Sequence, residues 1–200
     1  MGEPMAERPQ YSPGLAGVIA GESAISWIDL ERNRLILRGY DLVDLTAAAG
    51  FEEVAWLVLH GDLPSHAQLA AFCARLGAER ELPPLVTGLL REAPASAQPM
   101  ALLRTAVSAL GLTDPEAGDI ARDASLRKAE RLLARIPTIL TAGARYARGR
   151  EPVAPRRDLG HAANLLYMLD GVEPADYAVR AMNVSLILYM EHGFNASTFA

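Results

Sequence analysis

One histidine in the sequence stands where an apolar stretch gives way to a short polar turn. His192 follows an apolar run that ends near Leu188, and Gly193 behind it allows the backbone to turn. Asn195 and Ser197 are side chains that can cap a following helix. An imidazole at one helix end, beside the free N–H groups of the next helix, suits a carboxylate ligand, because it donates a charge-assisted hydrogen bond. A capping turn with an incidental histidine is the alternative interpretation.

The other histidines and the single cysteine have simpler interpretations. His60 precedes a Gly-Asp pair at a predicted helix end, where the helix dipole favours a cation, and we expect a structural role. His66 follows the predicted N-cap Ser65 and is expected to be solvated. His161 begins a predicted helix, where it either packs or binds a ligand. Cys73 lies among apolar residues of a helical stretch, which indicates a packed thiol, and a lone cysteine forms no internal disulfide.

Several catalytic and binding motifs are missing from the sequence. It contains no His-Glu-x-x-His zinc motif and no Gly-x-Ser-x-Gly nucleophile motif. It also lacks a phosphate-binding Gly-x-x-x-x-Gly-Lys-Ser/Thr segment and a Gly-x-Gly-x-x-Gly dinucleotide fingerprint. We therefore expect no metal site and no nucleotide cofactor.

Composition narrows the class of protein further. Of the 200 residues, 50% are hydrophobic, which is enough to build a core. The net charge of -5 argues against nucleic-acid binding, since proteins of that class carry a basic face. No apolar run approaches the roughly 20 residues of a membrane span. The segment 1–10 has no apolar core of a signal peptide, so we expect a cytoplasmic protein that binds no membrane.

The elements that would position these residues are mostly helices. The one β signal is a hairpin, in which Ile25, Trp27 and Leu30 precede a polar turn at 31–34 and the strand 35–37 follows. After Tyr40 the apolar residues recur at helical spacing, which predicts about nine helices. Predicted helices include Pro64 onward, Pro99–Leu110, Ser125–Tyr146, Asp158–Leu169 and Pro174–Met190, with a loop at Thr113–Asp123. Pro137 lies inside one of them and predicts a kink or break. The predicted fold class is all-α with one small hairpin.

The sequence also resembles a known family. Matching segments include Glu191-His192-Gly193-Phe194-Asn195-Ala196-Ser197-Thr198-Phe199 ("(D/E)H-x-x-NASTF"), Leu37-Arg38-Gly39-Tyr40-Asp41 ("RGYD"), Phe51-Glu52-Glu53-Val54-Ala55 with Leu63-Pro64 ("FEEVA…LP"), and Pro99-Met100 with Leu103–Leu110 ("HPM-x-x-LRTAVSAL"). These segments run from about Tyr11 to Ala200 in family order, and together they resemble the citrate synthases and 2-methylcitrate synthases.

The resemblance implies a fold, a reaction and a site. It implies a mainly helical protein that works as a homodimer or higher oligomer and condenses acetyl-CoA with oxaloacetate, giving citrate and CoA. The CoA thioester is then a substrate, and no cofactor is implied. His192 matches the family histidine that binds oxaloacetate, with Asn195 as a neighbouring polar contact. Residues 1–10 are expected to be a mobile tail, and 11–200 the N-terminal part of the large domain.

The same resemblance places the catalytic residues outside this sequence. The family's enolising Asp and its "GP-x-HGG" and "GHRVYK…DPR" segments do not occur here, so we expect a partial sequence that stops at Ala200 and is inactive alone. Gln98 replaces a common family His, and Tyr189-Met190 replaces His-Ala, which resembles the 2-methylcitrate branch. Two alternatives therefore stay open, namely a 2-methylcitrate synthase that uses propionyl-CoA and a non-catalytic helical partner of an active homologue.

Overall fold

The computed structural model describes residues 21–191 and residue 193, and these form a helical protein with a small sheet. The described strands are β1 (Ser26–Asp29), β2 (Arg34–Leu37) and β3 (Tyr40–Asp41). The described helices are α1 (Leu42–Ala48), α2 (Phe51–His60), α3 (His66–Ala78), α4 (Pro84–Glu92), α5 (Pro99–Thr113), α6 (Arg122–Tyr146), α7 (His161–Asp170) and α8 (Asp176–Leu188). The all-α class is confirmed, with eight helices in the described part of the chain instead of about nine. The predicted tail at 1–10 lies outside the described residues.

The predicted hairpin is present and is larger than expected. Strands β1 and β2 pair antiparallel, with Trp27 opposite Ile36, and β3 adds a third antiparallel strand. Arg38 turns the chain between β2 and β3 with a φ of 48°, a left-handed conformation that is uncommon outside glycine. Its guanidinium donates to the carbonyl of Val58 at 2.9 Å, near the end of α2. The sheet is thereby tied to the helices that follow it.

Local sequence signals explain where several helices begin. The Asp41 carboxylate accepts a hydrogen bond from the N–H of Val43 and starts α1. Ser65 caps α3 as predicted by accepting from the Gln68 N–H, and Gln68 Oε1 accepts a hydrogen bond from the Ser65 N–H at 2.8 Å. Pro84 and Pro99 occupy the first positions of α4 and α5, where no N–H is required. These helices thus carry their start signals in their own sequence.

The longest helix passes through a proline without interruption. Helix α6 is continuous over 25 residues with Pro137 buried inside it, so the predicted break is wrong. Proline removes one helical hydrogen bond, but tertiary packing of an apolar face can stabilise a helix by more than that loss. The two residues that follow Pro137, Thr138 and Ile139, are also buried. Burial of this part of α6 therefore outweighs the tendency of Pro137 to interrupt a helix.

The buried apolar residues form three clusters. The α4–α6 core joins helices α4, α5 and α6, with Val86, Leu90 and Ile139 at its centre. The sheet-side core joins β2, α1, α2 and α8. The α2–α3 core joins α2, α3 and α6, and Phe72 is fully buried in it. Because α2 contributes to two of these clusters, it links the sheet to the centre of the helical layer.

Candidate functional site

Helix α8 leads to the segment in which the sequence predicted a binding site. The helix ends at Leu188, and the N–H of Tyr189 donates to the Ser185 carbonyl at 3.2 Å. Met190 then packs against both the sheet-side core and the α2–α3 core. Apolar contacts on two sides therefore fix the chain immediately before the predicted site.

The turn after α8 is built around a glycine, as the sequence predicted. Gly193 has a φ of 73°, in the left-handed region that favours glycine. Its N–H donates to the Glu191 carboxylate. His192 and Asn195, the two predicted binding residues, lie outside the described residues, so their contacts stay predictions.

Asn183 joins α8 to the beginning of α2. Its Oδ1 accepts a hydrogen bond from the N–H of Phe51 at 2.7 Å, and its Nδ2 donates to the Ala49 carbonyl at 3.4 Å. The residue before Phe51 is Gly50, which has no side chain to cap the helix. The first N–H of α2 is therefore satisfied by a residue 132 positions away.

Glu52 provides a remote cap for α7, as Asn183 does for α2. Gly160 precedes that helix and offers no capping side chain, and the N–H of His161 donates to Glu52 Oε1 at 2.6 Å. A carboxylate at this position also complements the positive end of the helix dipole. Helix α8 thus caps α2, and α2 in turn caps α7.

The imidazole of His161 packs in the interior. It is 5% exposed and stacks on Phe51 with the ring centroids 4.4 Å apart. Burial, followed by the nearby Arg80 guanidinium, lowers the pKa of His161 to about 4. Of the two roles that the sequence allowed, packing is the one observed, and the lowered pKa favours the neutral ring.

Arg80 is buried beside this histidine. Its guanidinium donates to the carbonyl of Leu159 at 2.9 Å and to the carbonyl of Arg156, both in the segment before α7. Its own carbonyl accepts from Thr138 Oγ1 at 2.9 Å. Burial lowers the pKa of Arg80, while the Glu52 carboxylate raises it. Arg80 therefore holds the approach to α7 against α6.

The remaining candidates have structural or solvated roles. His60 stacks on Trp56 with centroids 3.8 Å apart, and burial lowers the pKa of His60, so the expected preference for a cation there is not supported. His66 is exposed at the start of α3, as predicted. Cys73 is half-buried, and burial, followed by the Glu52 carboxylate, raises the pKa of its thiol. A protonated, packed thiol agrees with the sequence prediction.

Neither a metal site nor a membrane-spanning helix occurs in the part of the chain that the structure describes. Over residues 21–191 and 193, no group of three or more His, Cys, Asp or Glu side chains is placed to hold a metal ion. Among the helices that the structure describes, none combines the length and the apolarity that a membrane crossing requires.

Sequence reasoning missed the remote caps that Asn183 and Glu52 provide. Each contact spans more than a hundred residues, and neither residue belongs to a local motif. A partial signal was nevertheless present, because a glycine at the N-cap has no side chain to accept from the first N–H groups and leaves them open to water or to an acceptor from elsewhere. Gly50 and Gly160 both stand in that position.

Comparison with known proteins identifies the chain's relatives. The family model described as the C-terminal domain of citrate synthase matches residues 14–200. A 2-methylcitrate synthase from Mycobacterium tuberculosis is 45% identical over 97% of this chain. A citrate synthase from Haloferax volcanii is 44% identical over 94% of it. The alignments cover 49% and 50% of those two relatives, so the chain spans about half of their length.

Solved structures agree with this result. The citrate synthase of Pyrobaculum aerophilum superimposes with a TM-score of 0.89 at 39% identity, covering 94% of this chain and 49% of that one. The citrate synthase of Thermoplasma acidophilum gives a TM-score of 0.89 at 26% identity and covers 96% of this chain and 50% of that one. The latter was solved as a ternary complex with carboxymethyl coenzyme A and oxaloacetate.

Proposed function

Because this chain belongs to the citrate synthase family, we propose that its polypeptide condenses acetyl-CoA with oxaloacetate, giving citrate and CoA. The observation that carries the proposal is the match over nearly the whole chain to named synthases, at 44–45% identity. Those relatives are enzymes, and this favours catalysis over a non-catalytic helical partner. In this proposal CoA enters as part of a substrate, and no cofactor takes part.

We assign His192 and Asn195 to the oxaloacetate end of the reaction. Oxaloacetate carries two carboxylates, so its site requires several hydrogen-bond donors that also orient and polarise the ketone. The described chain supports this assignment, because Met190 fixes the approach to residue 192 and Gly193 turns the backbone directly after it. His192 then donates to a substrate carboxylate or to the ketone, and Asn195 supplies a polar contact or a helix cap.

The bond-forming groups are assigned to none of these 200 residues. The reaction needs a carboxylate to remove a proton from the acyl carbon and donors to stabilise the enol. The family segments that carry those groups are absent from the sequence. We therefore propose that residues 11–200 contribute to the large domain and to one end of the substrate site, and that they show no CoA release when tested alone.

The His192 assignment is tested by substitution in a complete polypeptide of the relatives' length. We expect His192→Ala to weaken oxaloacetate binding by roughly a hundredfold, the usual range for a buried hydrogen bond to a charged group, and acyl-CoA binding far less. His66→Ala is the matched control, because His66 is exposed at the start of α3. Calorimetric titration with oxaloacetate measures the difference, and unchanged affinity in His192→Ala contradicts the assignment.

The acyl substrate is a separate question. Relatives of nearly equal identity are named 2-methylcitrate synthase and citrate synthase. Discrimination between acetyl and propionyl chains rests on one methylene, which is worth about 1–3 kcal/mol. The ratio of kcat/KM for acetyl-CoA and propionyl-CoA therefore decides the preferred chain, and a ratio above one for acetyl-CoA supports citrate formation.

The assembly and location are also part of the proposal. We propose a cytoplasmic homodimer or higher oligomer, in which exposed apolar side chains such as Met100, Leu112 and Ile120 are covered by a second copy or by further chain. Sedimentation velocity of the complete polypeptide measures the assembly, and a monomer at micromolar concentration contradicts it.

A further inference from the structure

The contact between Asn183 and the start of α2 has a consequence for the keto-acid site. The amide side chain is half-buried and reaches two backbone groups on either side of Gly50, the N–H of Phe51 and the carbonyl of Ala49. Because Gly50 provides no cap, no local side chain competes for that N–H. The contact is therefore specific to one relative placement of α8 and α2.

The other contacts of α8 are of a different kind. Leu186, Ile187 and Met190 pack into the sheet-side and α2–α3 cores through apolar atoms. Apolar burial is non-directional, so it depends less than a hydrogen bond does on small shifts of a helix. A hydrogen bond tolerates only a few tenths of an ångström in length and requires alignment. Asn183 is thus the contact that distinguishes one axial position of α8 from another.

Because Asn183 is some distance from the predicted site, the axial position that it gives to α8 determines where the following residues lie. At about 1.5 Å per helical residue, Leu188 at the end of α8 lies about 7.5 Å further along the helix than Asn183, and Met190 follows two residues later. A slip of one turn would move every group after α8 by about 5.4 Å. Asn183 at one end and Met190 at the other fix the segment that leads directly to residue 192.

We propose that Asn183 is a positioning residue for oxaloacetate binding. It holds α8 in register with α2 and thereby places the turn that carries His192 at the keto acid. This inference rests on the proposed function, because it assumes that the turn after α8 binds oxaloacetate. It goes beyond that function by assigning part of the substrate affinity to an amide that is some nine residues away in sequence.

The test is a set of variants in the complete polypeptide. Asn183→Ala removes both hydrogen bonds, while Asn183→Asp keeps an oxygen acceptor for the Phe51 N–H and adds a favourable charge at the start of α2. Ser65→Ala is the matched control, because it removes the N-cap of α3 and stands at an exposed position. If Asn183→Ala does not fold, Asn183→Gln replaces it, since Gln keeps both amide groups but moves them by one methylene.

Steady-state kinetics and thermal unfolding are measured on all variants. We expect Asn183→Ala to raise the KM for oxaloacetate about tenfold, because displacements near 1 Å can cost up to a hundredfold, and to leave the KM for acyl-CoA within about twofold. Asn183→Asp should restore the oxaloacetate KM. Ser65→Ala should lower the unfolding temperature without changing either KM.

The outcomes separate this inference from the proposed function. A wild-type oxaloacetate KM in Asn183→Ala, with a lowered unfolding temperature, overturns the positioning role and leaves the proposed function intact. Equal increases in both KM values also overturn it, since a general loss of structure explains them. If the wild-type polypeptide releases no CoA with oxaloacetate and an acyl-CoA, the proposed function itself fails, and the inference fails with it.

Discussion

Two groups of helices in this protein are held together by different kinds of contact. Helices α4, α5 and α6 enclose the α4–α6 core, and prolines at their first positions start α4 and α5. Helices α2, α7 and α8 are connected by remote caps from Asn183 and Glu52. These three helices also bury large apolar side chains, namely Val54, Leu57, Met168 and Ile187. The first group depends on apolar burial, while the second combines apolar burial with the exact partners of a few polar atoms.

The loop between α5 and α6 shows that polar contacts also occur in the first group, but they are closer in sequence. Arg131 on α6 donates to both carboxylate oxygens of Asp114, at 2.8 and 2.9 Å, and pairs with Glu116 at 2.9 Å. Hydrogen bonding from Arg127, supported by Arg131, lowers the pKa of Glu116 to about 2. These pairs fasten a loop to the helix that follows it.

The two kinds of contact differ in how exactly they fix the position of a helix. Apolar packing gives most of the stability but permits small shifts, whereas a capping hydrogen bond contributes little energy and permits almost none. The remotely capped group is the one that leads to the predicted substrate site. Positioning is thus concentrated in the remotely capped helices, and their caps can be perturbed separately from the apolar cores.

The largest expected effect is on the stability of the α4–α6 group. Leu90 is 1% exposed, and Leu90→Ala should lower the free energy of unfolding by about 3 kcal/mol through lost burial and a cavity. Leu85→Ala on the same helix is the control, because Leu85 is 49% exposed and should lose less than about 0.5 kcal/mol. Urea unfolding measures both, and equal losses would remove the contrast between the inner and outer faces of α4.

The next effect compares Glu52 and Glu53, two neighbouring residues of α2. Glu52 caps the remote helix α7, and Glu53 caps α2 itself. Glu52→Ala should cost about 2 kcal/mol, because it leaves the His161 N–H without an acceptor and removes a charge near buried Arg80. Glu53→Ala removes only the local bond to the Gly50 N–H and should cost about 1 kcal/mol. Glu52→Gln keeps an oxygen acceptor and should lie between them. If Glu53→Ala lowers the free energy of unfolding more than Glu52→Ala does, the remote cap does not contribute more stability than the local one.

A comparable effect should appear as a pH dependence. The pKa of His161 is about 4 when folded, against 6.5 as its ordinary value, so the unfolded chain binds the proton first as the pH falls. The stabilisation is complete above pH 6.5 and is lost as the pH falls from there towards 4. Between pH 7.5 and 5 this group should remove roughly 2 kcal/mol from the free energy of unfolding.

His161→Phe is the variant that tests this dependence. Phenylalanine keeps a flat ring against Phe51, and the backbone bond to Glu52 does not involve the imidazole. Its unfolding free energy should therefore fall less between pH 7.5 and 5 than that of the unchanged protein. His66→Gln is the control and should retain the full dependence. An identical pH profile in His161→Phe and the unchanged protein would assign the dependence to other groups.

The smallest effect concerns the ion pairs of the α5–α6 loop. Arg131→Leu should cost about 1 kcal/mol, because the side chain is 16% exposed and pairs with two carboxylates. Arg127→Leu, at a side chain that is 54% exposed, should cost less. Unfolding at low and high salt measures both, and a cost for Arg131→Leu above that for Glu52→Ala would reverse the ranking of local and remote polar contacts.

The fold was largely predictable because its signals are local. Apolar periodicity predicted the helical class, and Ser65, Pro99 and the turn at 31–34 predicted three of its boundaries. The short helix α1 was missed because seven residues give too little periodicity to recognise. The break predicted at Pro137 was wrong because burial of α6 outweighs one lost hydrogen bond.

The candidate site was less predictable. His192 and Asn195 came from a turn pattern and a family resemblance, and both lie outside the described residues, so their roles stay predictions. Asn183 and Glu52 could not be paired with their partners from the sequence, because no local rule links residues 132 or 109 positions apart. The uncapped glycines at 50 and 160 indicated that the first N–H groups of α2 and α7 were open to such partners, but not which residues would supply them.

The remote cap on α2 also bears on how the chain is made. A ribosome that has just added Phe51 must add 132 more residues before the amide that completes this helix exists. At about 5–20 residues per second, that interval is roughly 7–26 s. During this interval the Phe51 N–H has no Asn183 acceptor, and this hydrogen bond forms only after α8 has been synthesised. The helix that leads to the predicted substrate site is thus also the one that completes the cap of an early helix.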